Sequence, residues 1–400
     1  MLIHQKMNKE VFDMKSKLIN ILAIGMMILM IISPDSEEAH ASSLDREINT
    51  ILNKQKLESV MITTQSGQIL YQHCPDFETD PASLTKMMTI YLTLDAVKAN
   101  KIKLNDRIKI TPTYEKISTM PSLSNIPLHT GQSYTVEQLI LQTLLESSNV
   151  ATLILGDYIA GASSDFTNQM NTKAKHIGMT HTYFVNPTGA SNALLQNFAP
   201  SHYNPKGRTH TTAADMSQLV HHLIEVHPEV LKYSSITTDK QYGQKLRNKN
   251  QSLKGQPHAL RGTDGLKTGT SDKGYSLALT RKVNHLRLNE IVLNVQPYSS
   301  EKAKQNLYHI ANQAMIKAYE QYEYRKVISK GKQEINGKLY DVKKDLYDVV
   351  PKGEKLKYIV TDDNKVHVDY RRTFIKNTTA PSVTVEKKNI IEAFFYRFNH

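Results

Sequence analysis

Cysteine is almost missing from this chain. Cys74 is the only one in 400 residues, so an intramolecular disulfide is excluded and a core must hold the fold, as a chain this long can supply. No local motif marks Cys74 as a nucleophile, and a half-buried structural thiol is expected. Long apolar runs are also lacking. The clearest, residues 18–32, is interrupted by Asn20 and Gly25 and falls short of the roughly 20 residues that a membrane span needs. There is no H-E-x-x-H pair, no internal repeat and no low-complexity tract. Glutamate is absent from residue 147 to residue 224.

What is present at the N-terminus has the anatomy of an export signal. Lys15 and Lys17 precede the apolar run, and Ala39-His40-Ala41 follows as a small-x-small cleavage site. Residues 1–41 are therefore expected to be a signal peptide. Its removal would take away four basic residues (Lys6, Lys9, Lys15, Lys17) and five acidic ones (Glu10, Asp13, Asp35, Glu37, Glu38), moving the formal charge from +12 to +13. An exported basic protein suits an anionic setting, a membrane surface or a wall polymer. No nucleic-acid-binding motif accompanies the charge, and nucleic acid is not expected as a partner.

The length predicts two folded units. Ser59–Thr63 and Gln68–Gln72 read as a hairpin around Ser66-Gly67. A helix is predicted from Ser83 to about Lys98, and a capping box at Thr135–Gln138 opens another. Three strands (Gly265–Thr270, Tyr275–Arg281, Leu286–Asn294) precede a long helix, Glu301–Tyr322. Beyond it, short β-type runs are broken by turns, among them Asn336-Gly337, a two-residue hairpin signal. The expected organisation is residues 42–324 as a mixed α/β (α+β) domain, 325–385 as a small all-β domain and 386–400 as an amphipathic tail. In that tail Ile390, Ile391, Phe394, Phe395 and Phe398 share one helical face, suited to lying in a membrane interface.

Three short motifs carry chemistry. Ser83-Leu84-Thr85-Lys86 places an amine three residues from a hydroxyl, within reach on a helix. A serine becomes nucleophilic when a base takes its proton, and a lysine is a base only when burial or neighbouring positive charge keeps it neutral. Ser147-Ser148-Asn149 offers a second hydroxyl and an amide at a junction of two helices, though Ser and Asn there also suit a helix cap. Lys267-Thr268-Gly269-Thr270, on a strand edge, suits a terminal carboxylate, and the N–H groups of Ser83 and Thr270 can face an oxyanion. Alone, none of the three is specific; in this order they form one acyl-transfer site.

With Pro81-Ala82 before the first motif, Phe184–Gly189, Asn248-Lys249-Asn250 and Gly262–Gly265, the chain resembles the low-molecular-mass penicillin-binding proteins, serine D-alanyl-D-alanine carboxypeptidases, in the group nearest staphylococcal penicillin-binding protein 4. The resemblance covers about residues 59–322, and the trailing β domain is similar too. It implies a serine β-lactamase/transpeptidase-like fold: an antiparallel sheet flanked by helices, with a helical subdomain. It also implies Ser83 as nucleophile, Lys86 as base and Ser147 as proton shuttle. Asn149, Lys267, Thr268, Thr270 and Arg208 become substrate ligands. The implied substrate is a peptidoglycan stem peptide ending in D-Ala-D-Ala, β-lactams are implied inhibitors, and neither metal nor cofactor is required.

A class A-like β-lactamase shares the three motifs but needs a glutamate to activate the deacylating water. The glutamate-free stretch from 147 to 224 argues against it. A catalytically silent wall-binding protein on the same fold is the other alternative, although every chemical position is filled. His221, His222, Glu225 and His227 lack metalloenzyme spacing and are expected on a solvated helix face.

Overall fold

The computed structural model describes residues 42–398; the expected signal peptide, residues 1–41, lies outside them. Helix α1 (Ser43–Leu52) buries Leu44, Ile48 and Leu52 at i, i+4, i+8. Strands β1 (Ser59–Thr64) and β2 (Gln68–His73) form the expected hairpin, turned by Gly67 at φ +79°. A 3-10 turn, Ala82–Thr85, then leads into α2 (Lys86–Lys98). This helix is buried on nearly every side, so it is not striped, and Lys86, Thr89 and Thr93 are buried with its apolar residues.

Helix α3 (Val136–Leu145) opens with the expected reciprocal capping box between Thr135 and Gln138. Helix α4 (Asn149–Ala160) is capped by Ser148, whose hydroxyl accepts from Ala151 N. Helices α5 (Ser163–His176) and α6 (Ala213–Val226) follow, then β3 (Thr263–Thr270), β4 (Tyr275–Val283), β5 (Leu286–Val295) and α7 (Glu301–Gln321).

The strands assemble into one antiparallel sheet with β3 at an edge. Successive residues of a strand face opposite ways, and here both faces are covered. Met61, Ile291 and Leu293 pack with Met87, Ile90 and Leu219 of α2 and α6. Val60, Ile62, Leu288 and Val292 pack with α1 and with Leu307, Ala311 and Met315 of α7. Glu290 lies between Leu288 and Val292 on β5, opposite Ile62 and Leu279. It is wholly buried, and neither carboxyl oxygen has a hydrogen-bond partner among the described residues.

The chain runs from α7 straight into β6 (Tyr322–Ile328). The smaller domain continues with β7 (Gly331–Ile335), β8 (Lys338–Val342), β9 (Leu346–Pro351), β10 (Lys357–Val360) and β11 (Lys365–Asp369). Asn336 and Gly337, both at positive φ, join β7 to β8, the hairpin foreseen from the sequence. Val342, Val350, Val366 and Val368 form this domain's own core. One segment departs from expectation. Within the stretch read as a separate unit, 325–385, strand β12 (Thr373–Phe374) leaves the smaller domain and pairs with β2, becoming the sixth strand of the main sheet.

Next to it, Ile375 is buried in the larger domain's core, and Lys376 Nζ donates to Thr180 Oγ1 at 2.6 Å. Gln218 Nε2 of α6 donates to Lys376 O at 3.0 Å. The chain then returns to the smaller sheet as β13 (Val383–Lys387) and ends in α8 (Ile390–Phe398).

Candidate active site

Ser83 sits on the 3-10 turn, where a tight backbone lifts it toward the sheet. Ala82 before it has φ +48°, a conformation that costs a non-glycine residue free energy. It is held because Ala82 N donates to Asp80 Oδ1 at 2.8 Å. Gly189 (φ +78°) packs beneath, and a methyl group there would collide with Ala82 O. Asn186 Oδ1 fixes that glycine turn by accepting from Thr188 N, Thr188 Oγ1 and Gly189 N. Phe184–Gly189 is thus the floor of the nucleophile turn.

Lys86, the first residue of α2, is completely buried. Its Nζ lies 2.9 Å from Ser83 Oγ, 3.0 Å from Asn149 Oδ1 and 2.7 Å from Thr188 O. The last two oxygens can only accept, whereas a hydroxyl can also donate. A neutral amine satisfies all three, with two N–H bonds outward and its lone pair toward the Ser83 hydroxyl. Burial holds the Lys86 amine well below the usual lysine range, and the nearby charges of Lys267 and Lys249 add to the effect.

Asn149 is fixed from the other side: its N and Nδ2 both donate to Ser124 O at 2.9 Å. Ser147 has φ +60° and is 5 % exposed. The helix-cap role that the triplet permits falls to Ser148 alone, and Ser147 stands between the end of α3 and the start of α4.

Lys267 is buried on β3, its Nζ donating to Thr268 O at 2.9 Å. Burial, reinforced by Lys249 and opposed by Glu146, brings its amine down to about 7. Thr268 is half-buried and Thr270 exposed along the same edge. Gly269 faces the nucleophile turn, with no room for a side chain against Pro81 O. A groove of about 340 Å³ runs beside Thr268, Gly269 and Thr270, and Arg247, Lys249, Lys304 and Tyr308 line it.

Arg208 is placed differently from a free substrate ligand. It binds Asp272 bidentately, Nη1 to Oδ1 and Nη2 to Oδ2 at 2.9 Å each, and Nη1 lies 3.3 Å from Asp80 Oδ2. Lys249 escaped the sequence reading as a site residue. Its Nζ donates to Glu146 O at 2.8 Å, tying the groove to the residue before Ser147. Only the Asn248-Lys249-Asn250 motif hinted at it.

Two minor expectations change. Cys74 is exposed rather than half-buried. His221 is 7 % exposed, not solvated, and lies 3.6 Å from Glu225, whereas His227 turns away to Asp95 and Glu229.

The family model for D-alanyl-D-alanine carboxypeptidases, peptidase S11, matches residues 51–297. The chain belongs to this family. A domain of unknown function, DUF1958, matches residues 324–386. D-alanyl-D-alanine carboxypeptidase DacF of Bacillus subtilis is 29 % identical over 302 residues, 72 % of this chain and 68 % of that protein. DacA of Escherichia coli is 26 % identical over 344 residues, 80 % of this chain and 77 % of its own. Among solved structures, penicillin-binding protein D2 of Listeria monocytogenes in its ampicillin-bound form is 27 % identical, with a TM-score of 0.54, covering 66 % of this chain and 97 % of that one. PBP3 of Streptococcus pneumoniae, at 24 % identity, shares the fold with a TM-score of 0.73 over 84 % of this S11 chain and 99 % of its own.

Proposed function

We propose that this S11 protein is a serine carboxypeptidase that cleaves the D-Ala-D-Ala end of peptidoglycan stem peptides through an acyl-enzyme on Ser83, and that β-lactams acylate the same oxygen. The hydrogen-bond count at Lys86 carries this reading: two acceptor-only oxygens and one hydroxyl around a buried amine suit a neutral base. As Ser83 Oγ attacks the penultimate carbonyl, its proton passes to Lys86 Nζ. The oxyanion forms toward the N–H groups of Ser83 and Thr270. Ser147 relays a proton to the nitrogen of the departing D-Ala as the C–N bond breaks. Lys267, Thr268 and Lys249 hold the terminal carboxylate, and Asn149 keeps Lys86 aligned. Water then releases the acyl group; an amine in its place gives transpeptidation.

The amines set the pH dependence. Lys86 must be neutral, so kcat/KM rises as pH climbs through its lowered pKa. Lys267 must be charged to bind a carboxylate, so kcat/KM falls as pH rises through about 7. D-Ala release from a D-Ala-D-Ala peptide should therefore give a bell whose alkaline limb disappears in Lys267→Arg. No D-Ala release, together with no penicillin labelling of Ser83, would end this reading.

Within the family we infer kinship with staphylococcal penicillin-binding protein 4, on the motifs around Ser83, Asn186 and Lys249 and the trailing β domain. The expected signal peptide, residues 1–41, supports action outside the cytoplasmic membrane. No helix among the described residues is long and apolar enough to cross a membrane; α8 is instead suited to lie on one. Arg397 Nη2 donates to Glu334 Oε1 at 2.7 Å and Tyr396 Oη to Lys332 O at 3.2 Å, pinning its polar side to the smaller domain. Ile390, Ile391, Phe394 and Phe395 are left 60–89 % exposed on the outer side. Ile391→Glu with Phe394→Glu should lower co-sedimentation with anionic vesicles by about tenfold or more; unchanged sedimentation would remove α8 as the contact.

A further inference from the structure

The two ends of β3 carry opposite charge. Beside Lys267 and Thr268 the groove is lined by Arg247, Lys249 and Lys304. Past Thr270, the turn into β4 presents Asp272, whose side chain is 60 % exposed. Each Asp272 oxygen accepts one hydrogen bond from Arg208, which leaves further lone pairs toward solvent. Arg208 also faces Asp80, which is 8 % exposed. One guanidinium between two carboxylates gives the trio a formal charge of −1. Lys273, next in the turn, does not neutralise it: its Nζ points back to Glu58 and Thr79, at 3.8 and 3.4 Å.

The direction of a bound peptide follows from the function proposed above, on which this inference rests. The terminal carboxylate lies at Lys267 and Thr268 and the scissile carbonyl between Ser83 and Thr270. An extended chain advances about 3.3 Å per residue. The substrate residue before the D-Ala pair therefore falls just beyond Thr270, beside the turn that carries Asp272. A net-negative spot with an exposed carboxylate suits a cation there. An anion would have to displace Asp272 from a bidentate fork and then face Asp80.

We propose that Asp272 recognises an ammonium group on the side chain of the substrate residue preceding D-Ala-D-Ala, with Arg208 as the positioning residue that holds Asp272 in place. Arg208 then serves specificity through its partner rather than by touching a substrate carboxylate.

Two peptides test this: Nα-acetyl-Lys-D-Ala-D-Ala with its ε-amine free, and the same peptide with that amine acetylated. An exposed charge pair is worth about two- to fivefold in affinity. The free-amine peptide should exceed the acetylated one by that ratio, in kcat/KM for D-Ala release and in calorimetric binding to Ser83→Ala. The ratio should shrink with added salt, fall to about one in Asp272→Asn and persist in Asp272→Glu. A ratio of one in the parent, or an undiminished ratio in Asp272→Asn, would overturn the proposal. So would an Asp272→Asn variant that slows both peptides equally and keeps the ratio. Absence of D-Ala release would count against the catalytic reading, while binding to Ser83→Ala would still decide the role of Asp272.

Discussion

Lys86→Gln is expected to slow acylation of Ser83 by a fluorescent penicillin by about 10²- to 10⁴-fold, the usual contribution of a positioned general base. The amine is buried 2.9 Å from the hydroxyl whose proton must leave. No other described basic side chain is hydrogen-bonded to Ser83. An amide can still donate to Asn149 or Thr188 but cannot take a proton at neutral pH. Lys86→Arg should be equally slow, because guanidinium stays charged and has no lone pair to offer. Removing a potential charge from the core should leave the thermal midpoint unchanged or raised. Stopped-flow acylation and thermal unfolding would check both halves. Acylation within tenfold of the parent would mean that some other group takes the proton.

Glu290→Met is expected to stabilise the fold, by about 1–3 kcal/mol at neutral pH, the range for a buried polar group without partners. Glu290 sits among Ile62, Leu279, Leu288 and Val292, and burial alone drives its carboxyl well above the usual range. The folded state thus keeps a proton that the unfolded chain releases. Stability from this residue is whole below the unfolded pKa and is lost as pH rises toward the folded one, at about 1.4 kcal/mol per pH unit. Chemical denaturation at several pH values should show a shallower decline in the variant. A variant less stable than the parent at pH 8 would show that Glu290 has a satisfying partner after all.

Local signals made much of this structure legible from sequence. Serine and lysine three residues apart, a capping box at Thr135 and Asn336-Gly337 between two strands are each settled within one or two turns of chain, and each formed as expected. The three motifs also converge: Asn149, far away in sequence, meets the Lys86 amine, and Gly269 of the third motif packs against Pro81 and Leu84 of the nucleophile turn. What stayed hidden depends on distant partners. Arg208 carries no mark of being held by Asp272 and Asp80, which lie 64 and 128 positions away. Lys249 joins the site only through a groove built from three separate segments. Glu290 reads as an ordinary polar residue in a strand, since alternation cannot reveal that both sheet faces are covered. No local motif marks the surroundings of Cys74, and its place in the turn after β2 leaves it in solvent.

Strand β12 changes what the two family segments mean. Thr373 and Phe374 continue the larger sheet beyond β2, and Ile375 fills part of its core. Arg372, just before them, is paired in the interior with Asp348 of the smaller domain at 2.8 Å. Residues some 300 positions from β2 thus close one side of the catalytic half. Melting should show one cooperative transition rather than two. A chain cut after residue 324 would lose this two-residue edge strand and leave the longer β2 as the sheet's edge, the kind of edge along which proteins aggregate.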